Sequence, residues 1–186
     1  MQISFQKVNT SKHKMKHPSS PSSKAVLDSV KDLPTNGTVA QDDENGMVYL
    51  NLDDDWIFHS LKALRDSGFI RPPFFSYPPF PVGAHIKIVT KREPEDYELF
   101  RETGRDLSHL IGKTVDFEVV TAFGIEARYT DTRYYKIRVK SPELSNIRKE
   151  LTGLSTGQFV ILVGIRNPWK EVTDEMIKKR MKLLSN

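Results

Sequence analysis

The chain has 186 residues, of which 38% are hydrophobic and 28% charged, and no apolar run approaches the ~18 residues that a membrane span requires. It contains no cysteine, which excludes a disulfide framework, a thiolate metal site and a cysteine nucleophile. The first residues also lack the apolar core of a secretory signal. We therefore predict a cytoplasmic protein without a membrane segment.

The net charge of +4 originates in the N-terminal segment. Residues 1–24 hold five lysines and no acidic residue, which leaves 23 of the 28 basic residues against 24 acidic ones in the rest of the chain. Residues 1–45 are rich in Lys, Ser, Pro, Asn and Asp, and only Ala25 to Leu33 has helical spacing, so a disordered tail is predicted. A basic tail could contact nucleic-acid phosphates, although solvated disorder is its commoner meaning.

The pattern becomes that of a folded domain near Met47, and we predict one domain over residues 46–170. MVYLNL is β-rich, and the segment after it repeats Ile57, Leu61 and Leu64 on one helical face. Asp53 can cap this helix, and Gly68 occupies the position of a left-handed residue at a helix end. A strand followed by a helix is expected.

A proline- and aromatic-rich loop over residues 72–81 precedes the next strand. Its five prolines forbid helix and interior strand, and its aromatic rings predict an ordered loop packed by its own side chains. Exposed rings would instead favour contact with a protein partner. The loop leads into Gly83 to Val89, a strand on which His85 and Lys87 share one face.

The second half of the domain alternates helices and strands. A helix and a helical turn follow Pro94, KTVDFEVV alternates as a half-buried strand, and AFGIEARY and RYYKIRVK flank TDT as a hairpin. Ser141 then caps a helix that has Pro142 at its first position and Gly153 at its end.

The last predicted elements are a central strand and a terminal helix. Phe159 to Ile165 is apolar on both faces and too short for a helix, which is typical of a fully covered strand. Residues 171–186 predict a basic amphipathic helix packed on the domain. Together the elements predict an α+β domain large enough for its own core.

Standard catalytic signatures are absent from the sequence. There is no Walker loop and no GxGxxG, HExxH, GxSxG or CxxC motif. His13 and His17 have helical i, i+4 spacing but fall in the predicted tail, where they make a poor metal site. We expect neither a metal nor a cofactor.

The segment from Met47 to Asn167 resembles the two-histidine (2H) phosphoesterase superfamily, which includes RNA 2′,3′-cyclic phosphodiesterases. The resemblance rests on GAHIKI in one strand, LVGI at the end of another, and the order of helices and hairpin between them. It implies an α+β, bilobal fold in which two pseudo-symmetric antiparallel sheets form a central cleft with helices outside. In such enzymes each lobe contributes a His-hydrophobic-Thr/Ser strand, and the two histidines act as acid and base on one phosphate.

In this chain the first motif falls on His85-Ile86-Lys87 and the second on Val160-Ile161-Leu162. Lys87 replaces a hydroxyl residue and could hold a phosphate as a point charge. Both chemical positions of the second motif are apolar, and valine cannot exchange a proton. The resemblance therefore implies a degenerate enzyme that retains His85 as a catalytic residue, in which His59 or His109 would have to replace the missing histidine.

We predict a domain that binds a phosphate-bearing ligand, such as an RNA end or a nucleotide, in the central cleft, with phosphodiesterase activity weakened or lost. The ligand-binding candidates are Lys87, Lys91, Arg133, Tyr135 and Arg166, although the two arginines could equally be solvated strand-end charges. One alternative is a pseudo-enzyme that binds a protein through the loop at 72–81 or the C-terminal helix. Another is a tail-driven nucleic-acid binder, whose affinity would fall steeply with salt and vanish without residues 1–45.

Overall fold

A computed structural model describes residues 21–42, 46–72, 82–89, 106–127, 132–154 and 157–166. The helices are α1 (Ser23–Val30), α2 (Asp55–Leu64) and α3 (Pro142–Thr152), with a 3₁₀ turn at Arg65–Ser67. The strands are β1 (Asn36–Gln41), β2 (Val48–Asn51), β3 (His85–Val89), β4 (Thr114–Asp116), β5 (Glu118–Glu126), β6 (Arg133–Lys140) and β7 (Val160–Arg166).

These elements form a mixed α+β fold, as predicted, in which the helices pack on one face of a curled antiparallel sheet. The seven strands lie in the order β4-β1-β2-β3-β7-β6-β5. Helix α1 contacts β5, α2 contacts β7, and α3 contacts β3. Within the described ranges, no helix has the length and apolar character needed to cross a membrane.

The chain joins the fold well before residue 46. The prediction of one disordered tail over residues 1–45 is wrong for residues 21–42, because α1 buries Val26 and Val30 and β1 pairs with both β2 and β4. Strand β1 has the sequence NGTVAQ, with Val39 as its one large apolar residue, so its alternation is too weak to predict a strand. Residues 1–20 and the helix predicted at 171–186 lie outside the described residues.

The sheet has two halves that meet between β3 and β7. Across this junction Ile86 pairs with Ile161, and both side chains are fully buried. The prediction of two separate sheets is not confirmed, since the pairing continues through the junction and produces one curled sheet.

Strand β7 is an interior strand, as its apolar sequence predicts, but only one of its faces is fully buried. Ile161 and Val163 are buried, whereas Val160 and Leu162 are half-buried. A Cβ at Gly164 would lie 3.0 Å from Leu64 Cδ1, so glycine at this position allows α2 to pack closely over β7.

Helix α3 begins and ends where the sequence predicts. The Ser141 side chain accepts a hydrogen bond from Leu144 N at 3.2 Å, Pro142 occupies the first turn, and Gly153 ends the helix with a φ of 75°. The predicted inner residues Leu144, Ile147 and Leu151 are buried. Helix α2 is likewise confirmed, but its N-cap position is Asp54, one residue after the predicted Asp53, whose Oδ1 accepts from Asp55 N at 2.8 Å.

The predicted hairpin joins β5 and β6, with Glu126 opposite Arg133. The break between the strand predicted at KTVDFEVV and the hairpin lies earlier in the chain than the sequence predicts. It occurs at Phe117, whose side chain is buried against Trp56 with 5.5 Å between the ring centroids. Strand β4 therefore pairs with β1, while β5 continues beside β6. Almost all of the loop predicted at 72–81 and the helix predicted after Pro94 lie outside the described residues.

Candidate functional site

The start of β3 is anchored to the N-terminus of α2. Ala84 N donates a hydrogen bond to Asp54 Oδ1 at 2.8 Å. A Cβ at Gly83 would overlap the same carboxylate, so this approach requires glycine. Gly83 and Ala84 thus fix the position at which β3 begins.

The ring of His85 is held by the backbone two residues earlier. Its Nδ1 lies 2.8 Å from the Gly83 carbonyl oxygen, which can only accept, so Nδ1 carries the proton and Nε2 the lone pair of the neutral ring. Tyr49 packs against the imidazole in edge-to-face contact, with 5.7 Å between ring centroids.

Burial lowers the pKa of His85 below its ordinary value of 6.5, the hydrogen bond to Gly83 opposes this, and the charge of Lys87 lowers the pKa further. The imidazole is therefore neutral at neutral pH. A neutral ring of this tautomer can accept a proton at Nε2, as a general base does.

His85 and Lys87 lie on the sheet face opposite the helices. Ile86, Ile161 and Ile137 align across β3, β7 and β6 in the helix-covered core, and their neighbours along each strand point the other way. We call this second face the basic face and define it by His85, Lys87, Val160, Leu162, Lys136 and Arg138. Strands β3, β7 and β6 contain no acidic residue.

The two motif segments, His85-Ile86-Lys87 in β3 and Val160-Ile161-Leu162 in β7, are direct neighbours in the sheet. Because Ile86 pairs with Ile161 in antiparallel register, Lys87 lies beside Val160 and His85 beside Leu162. Neither Val160 nor Leu162 can transfer a proton or donate a hydrogen bond from its side chain. The polar chemistry at this junction comes from β3 alone.

Strand β6 adds two cations that sequence reasoning missed. Lys136 and Arg138 each pair with a β7 residue of the basic face. The Arg138 guanidinium lies 5.1 Å from the Phe123 ring, and Lys136 Nζ lies 5.9 Å from the Tyr134 ring. The alternation of polar and apolar residues in RYYKIRVK could have identified them, because Lys136 and Arg138 flank the buried Ile137 and so point to the opposite face.

The guanidinium of Arg138 is only partly satisfied by the protein. Its Nη2 donates to the exposed Gln158 Oε1 over a long 3.4 Å, and its buried Nε has no hydrogen-bond partner in the part of the chain that the structure describes. Leaving a buried donor unpaired costs about 1–3 kcal/mol. The described residues therefore leave part of the hydrogen-bonding capacity of this guanidinium unused.

Three of the predicted ligand residues lie together on the other, helix-covered face. Arg133 pairs with Arg166, and the buried Tyr135 contacts Phe69 edge-to-face at 5.6 Å. Since side chains alternate along β6, this group points away from His85. The structure thus places His85 and Lys87 together and Arg133, Tyr135 and Arg166 together, in two separate groups; Lys91 lies outside the described residues.

Neither alternative histidine lies on the basic face. His59 belongs to α2, and His109 Nε2 lies 2.7 Å from Glu150 Oε1 of α3, so both are on the side of the helices. Among the described residues, no cluster of three or more His, Asp or Glu side chains could hold a metal ion.

No protein-family model matches this chain, and comparisons with curated proteins and with solved structures found no match. The interpretation of the site therefore depends on the geometry and chemistry of its own residues, together with the resemblance carried by the two short motifs.

Proposed function

We propose that this protein binds a phosphate-bearing ligand, such as an RNA end or a nucleotide, on the basic face, and that 2H-type phosphodiesterase activity is weakened or lost. The observation that carries the proposal is the pairing of Ile86 with Ile161. It makes the strands of the two motifs neighbours, and the resemblance to 2H phosphoesterases implies that both motif strands converge on one phosphate.

The bilobal organisation implied by the resemblance belongs to the same proposal. The half-sheets β4-β1-β2-β3 and β7-β6-β5 would correspond to the two lobes. The junction between β3 and β7 has one registered pair, whereas β6 and β7 share six, which supports treating it as the boundary between the lobes.

The charges of the central strands support an anionic ligand. Lys87, Lys136 and Arg138 lie on one face of strands that carry no acid, and arginine in particular suits the geometry of phosphate oxygens. The Phe123 and Tyr134 rings beside the β6 cations offer stacking surfaces for a base. We therefore propose that phosphate lies over β3 and the base lies toward β6.

His85 would supply one half of an acid–base pair. Its neutral Nε2 could take a proton from a ligand hydroxyl, and Lys87 could stabilise negative charge on the phosphate. The neighbouring Val160 and Leu162 cannot protonate a leaving oxygen. Because one general acid or base contributes about 10²–10⁴-fold to rate, we expect binding without efficient turnover.

Binding to labelled RNA tests the proposed site. We expect Lys87→Gln to weaken binding of a short RNA ending in a 2′,3′-cyclic phosphate by about tenfold, because a charged contact contributes ~1.5 kcal/mol. Fluorescence anisotropy of the phosphate-ended RNA and of the same RNA ending in a hydroxyl measures the preference. Lys149→Gln in α3 removes the same charge from the helix-covered side and should bind like the wild type. Equal weakening by the two variants would reject the basic face as the binding site.

Two further arms separate binding from catalysis and from the tail. Slow cleavage of the same RNA that disappears in His85→Ala would support residual activity, whereas no cleavage by either protein would restrict the function to binding. Glutamine at Lys7, Lys12, Lys14 and Lys16 should leave the preference for the phosphate end intact. Loss of all RNA binding in that variant would favour the tail-driven alternative. The protein-binding alternative, which uses residues outside the described ranges, stays a prediction.

A further inference from the structure

A cavity of about 340 Å³ lies on the helix-covered side, at the end of the β6–β7 pairing. Its walls include Arg133, Arg166, Tyr135 and Phe69, with Glu126 and Pro21 beside them. None of the residues that define the basic face lines this cavity. A volume of this size lies within the range of about 300–1,000 Å³ typical of small-molecule sites.

The cavity wall carries more positive than negative charge. Arg133 and Arg166 are direct register partners, so their side chains leave the same face of the sheet side by side, and both line the cavity. The one carboxylate among the lining residues is Glu126, whose Oε2 is 3.7 Å from Arg133 Nη2. Those two side chains are 56% and 36% exposed, so this ion pair contributes little stability, and with Glu126 counted the two arginines leave the lining with one net positive charge.

Arg166 is held in position by the protein. Its Nη1 donates to the Ser67 carbonyl oxygen at 2.9 Å, and its guanidinium lies 5.6 Å from the Phe69 ring. The Tyr135 hydroxyl donates to Pro21 O at 3.3 Å, which orients the second aromatic ring of the wall. Groups fixed in this way bind a ligand without losing further side-chain freedom.

Burial lowers the pKa of Arg166 and the charge of Arg133 lowers it further, while the Glu126 carboxylate acts in the opposite direction and raises it. The two like charges therefore disfavour each other, and an anion between them would relieve the repulsion. Arginine remains protonated in proteins, so the cavity stays cationic over the physiological pH range.

We propose that this cavity is a second ligand site for a small organic anion that has a flat apolar body and one carboxylate or phosphate group. Arg133 and Arg166 bind the anionic group, whose paired oxygens suit the fork of a guanidinium. Phe69 and Tyr135 contact the apolar body. The inference does not depend on the proposed function of the basic face.

Titration of the full-length protein, followed by amide chemical shifts, tests this site. Benzoate and phenyl phosphate supply the two anionic groups on the same ring, benzyl alcohol is the uncharged control, and inorganic phosphate lacks the ring. We expect saturable binding of benzoate or phenyl phosphate and about tenfold weaker binding by Arg133→Gln. Arg133 is partly exposed, so its replacement should be tolerated by the fold. Lys149→Gln removes the same charge away from the cavity and should bind the anions as the wild type does.

A second variant keeps the test independent of folding effects at Arg133. Glu126→Gln removes the competing carboxylate and is expected to tighten binding of the anions several-fold. Lys87→Gln should leave benzoate affinity unchanged, which separates this site from the basic face. Wild-type anion affinity in both Arg133→Gln and Glu126→Gln, or benzyl alcohol binding as tightly as benzoate, would overturn the proposal. Equal affinity for inorganic phosphate and phenyl phosphate would overturn the proposed ligand class.

Discussion

At the scale of single residues, the tautomer and pKa of His85 depend partly on its neighbours in the sequence. The position of its strand depends on Asp54, which is distant in the sequence. Gly83 O fixes its tautomer, and its pKa is lowered mainly by burial and further by the charge of Lys87. Asp54, about thirty residues earlier, holds Ala84 N and so sets the start of the strand. The sequence predicts that His85 and Lys87 share a face, whereas the burial of the ring and the contact with Asp54 depend on the packed fold.

The lowered pKa of His85 has a consequence for stability. We expect the free energy of unfolding of the wild type to fall, relative to that of His85→Gln, as pH decreases from about 6.5. The unfolded chain binds the proton near this ordinary pKa, while the folded state resists it, so stability present above pH 6.5 is lost as pH falls toward the lowered folded value.

Urea unfolding at about pH 7.5, about 6.5 and about 5.5 measures this difference. His59→Gln retains His85 and should retain the wild-type pH dependence. The pH assignment would be refuted if the wild type and His85→Gln lost stability in parallel over this range.

At the scale of elements, the clearest prediction from sequence is α3. Its cap, first-turn proline and terminal glycine all act locally, so they need no tertiary context. Strand β1 is the opposite case, because it carries little apolar signal and owes its place in the sheet to pairing with the strands on either side. The break between β4 and β5 is hidden for a different reason, because the apolar alternation continues through Phe117, whose ring packs against Trp56 of α2.

We expect Ser141→Ala to lower the free energy of unfolding by about 1–2 kcal/mol. The Ser141 hydroxyl accepts from Leu144 N and donates to Asp116 O at 2.7 Å, so it both caps α3 and links the helix to the end of β4. Ser145→Ala removes only a bond to the Ser141 carbonyl within the same helix, and should change stability by less than ~0.5 kcal/mol. Chemical denaturation compares the two variants, and equal losses would contradict the capping role.

At the scale of the whole molecule, the two halves of the sheet share one core. Buried residues from α1, α2, α3 and the strands of both halves form a single hydrophobic cluster. Ile161 is at the centre of this arrangement, because it pairs with Ile86 on one side and Ile137 on the other. The halves should therefore unfold together.

We expect Ile161→Ala to lower the free energy of unfolding by about 2–5 kcal/mol, since it leaves a cavity where both halves meet. Ile111, which is 43% exposed, provides the matched control, and Ile111→Ala should change stability by less than ~0.5 kcal/mol. Amide signals of β2 and β6 in increasing urea report on each half of the sheet. Loss of the β2 signals at a urea concentration where those of β6 persist would show that the halves are not cooperative.

The sequence by itself determined the local features of this protein: the bounds of α2 and α3, the hairpin, the apolar interior strand β7 and the single-sided polar pattern of β3. Only the tertiary structure decided that β3 and β7 are neighbours, that Lys136 and Arg138 join their face, and that Arg133, Tyr135 and Arg166 line a cavity on the opposite, helix-covered side. The physical reason is that periodicity gives the alternation of side chains within a strand, whereas the pairing of strands and the covering of each face arise from contacts between residues far apart in the chain.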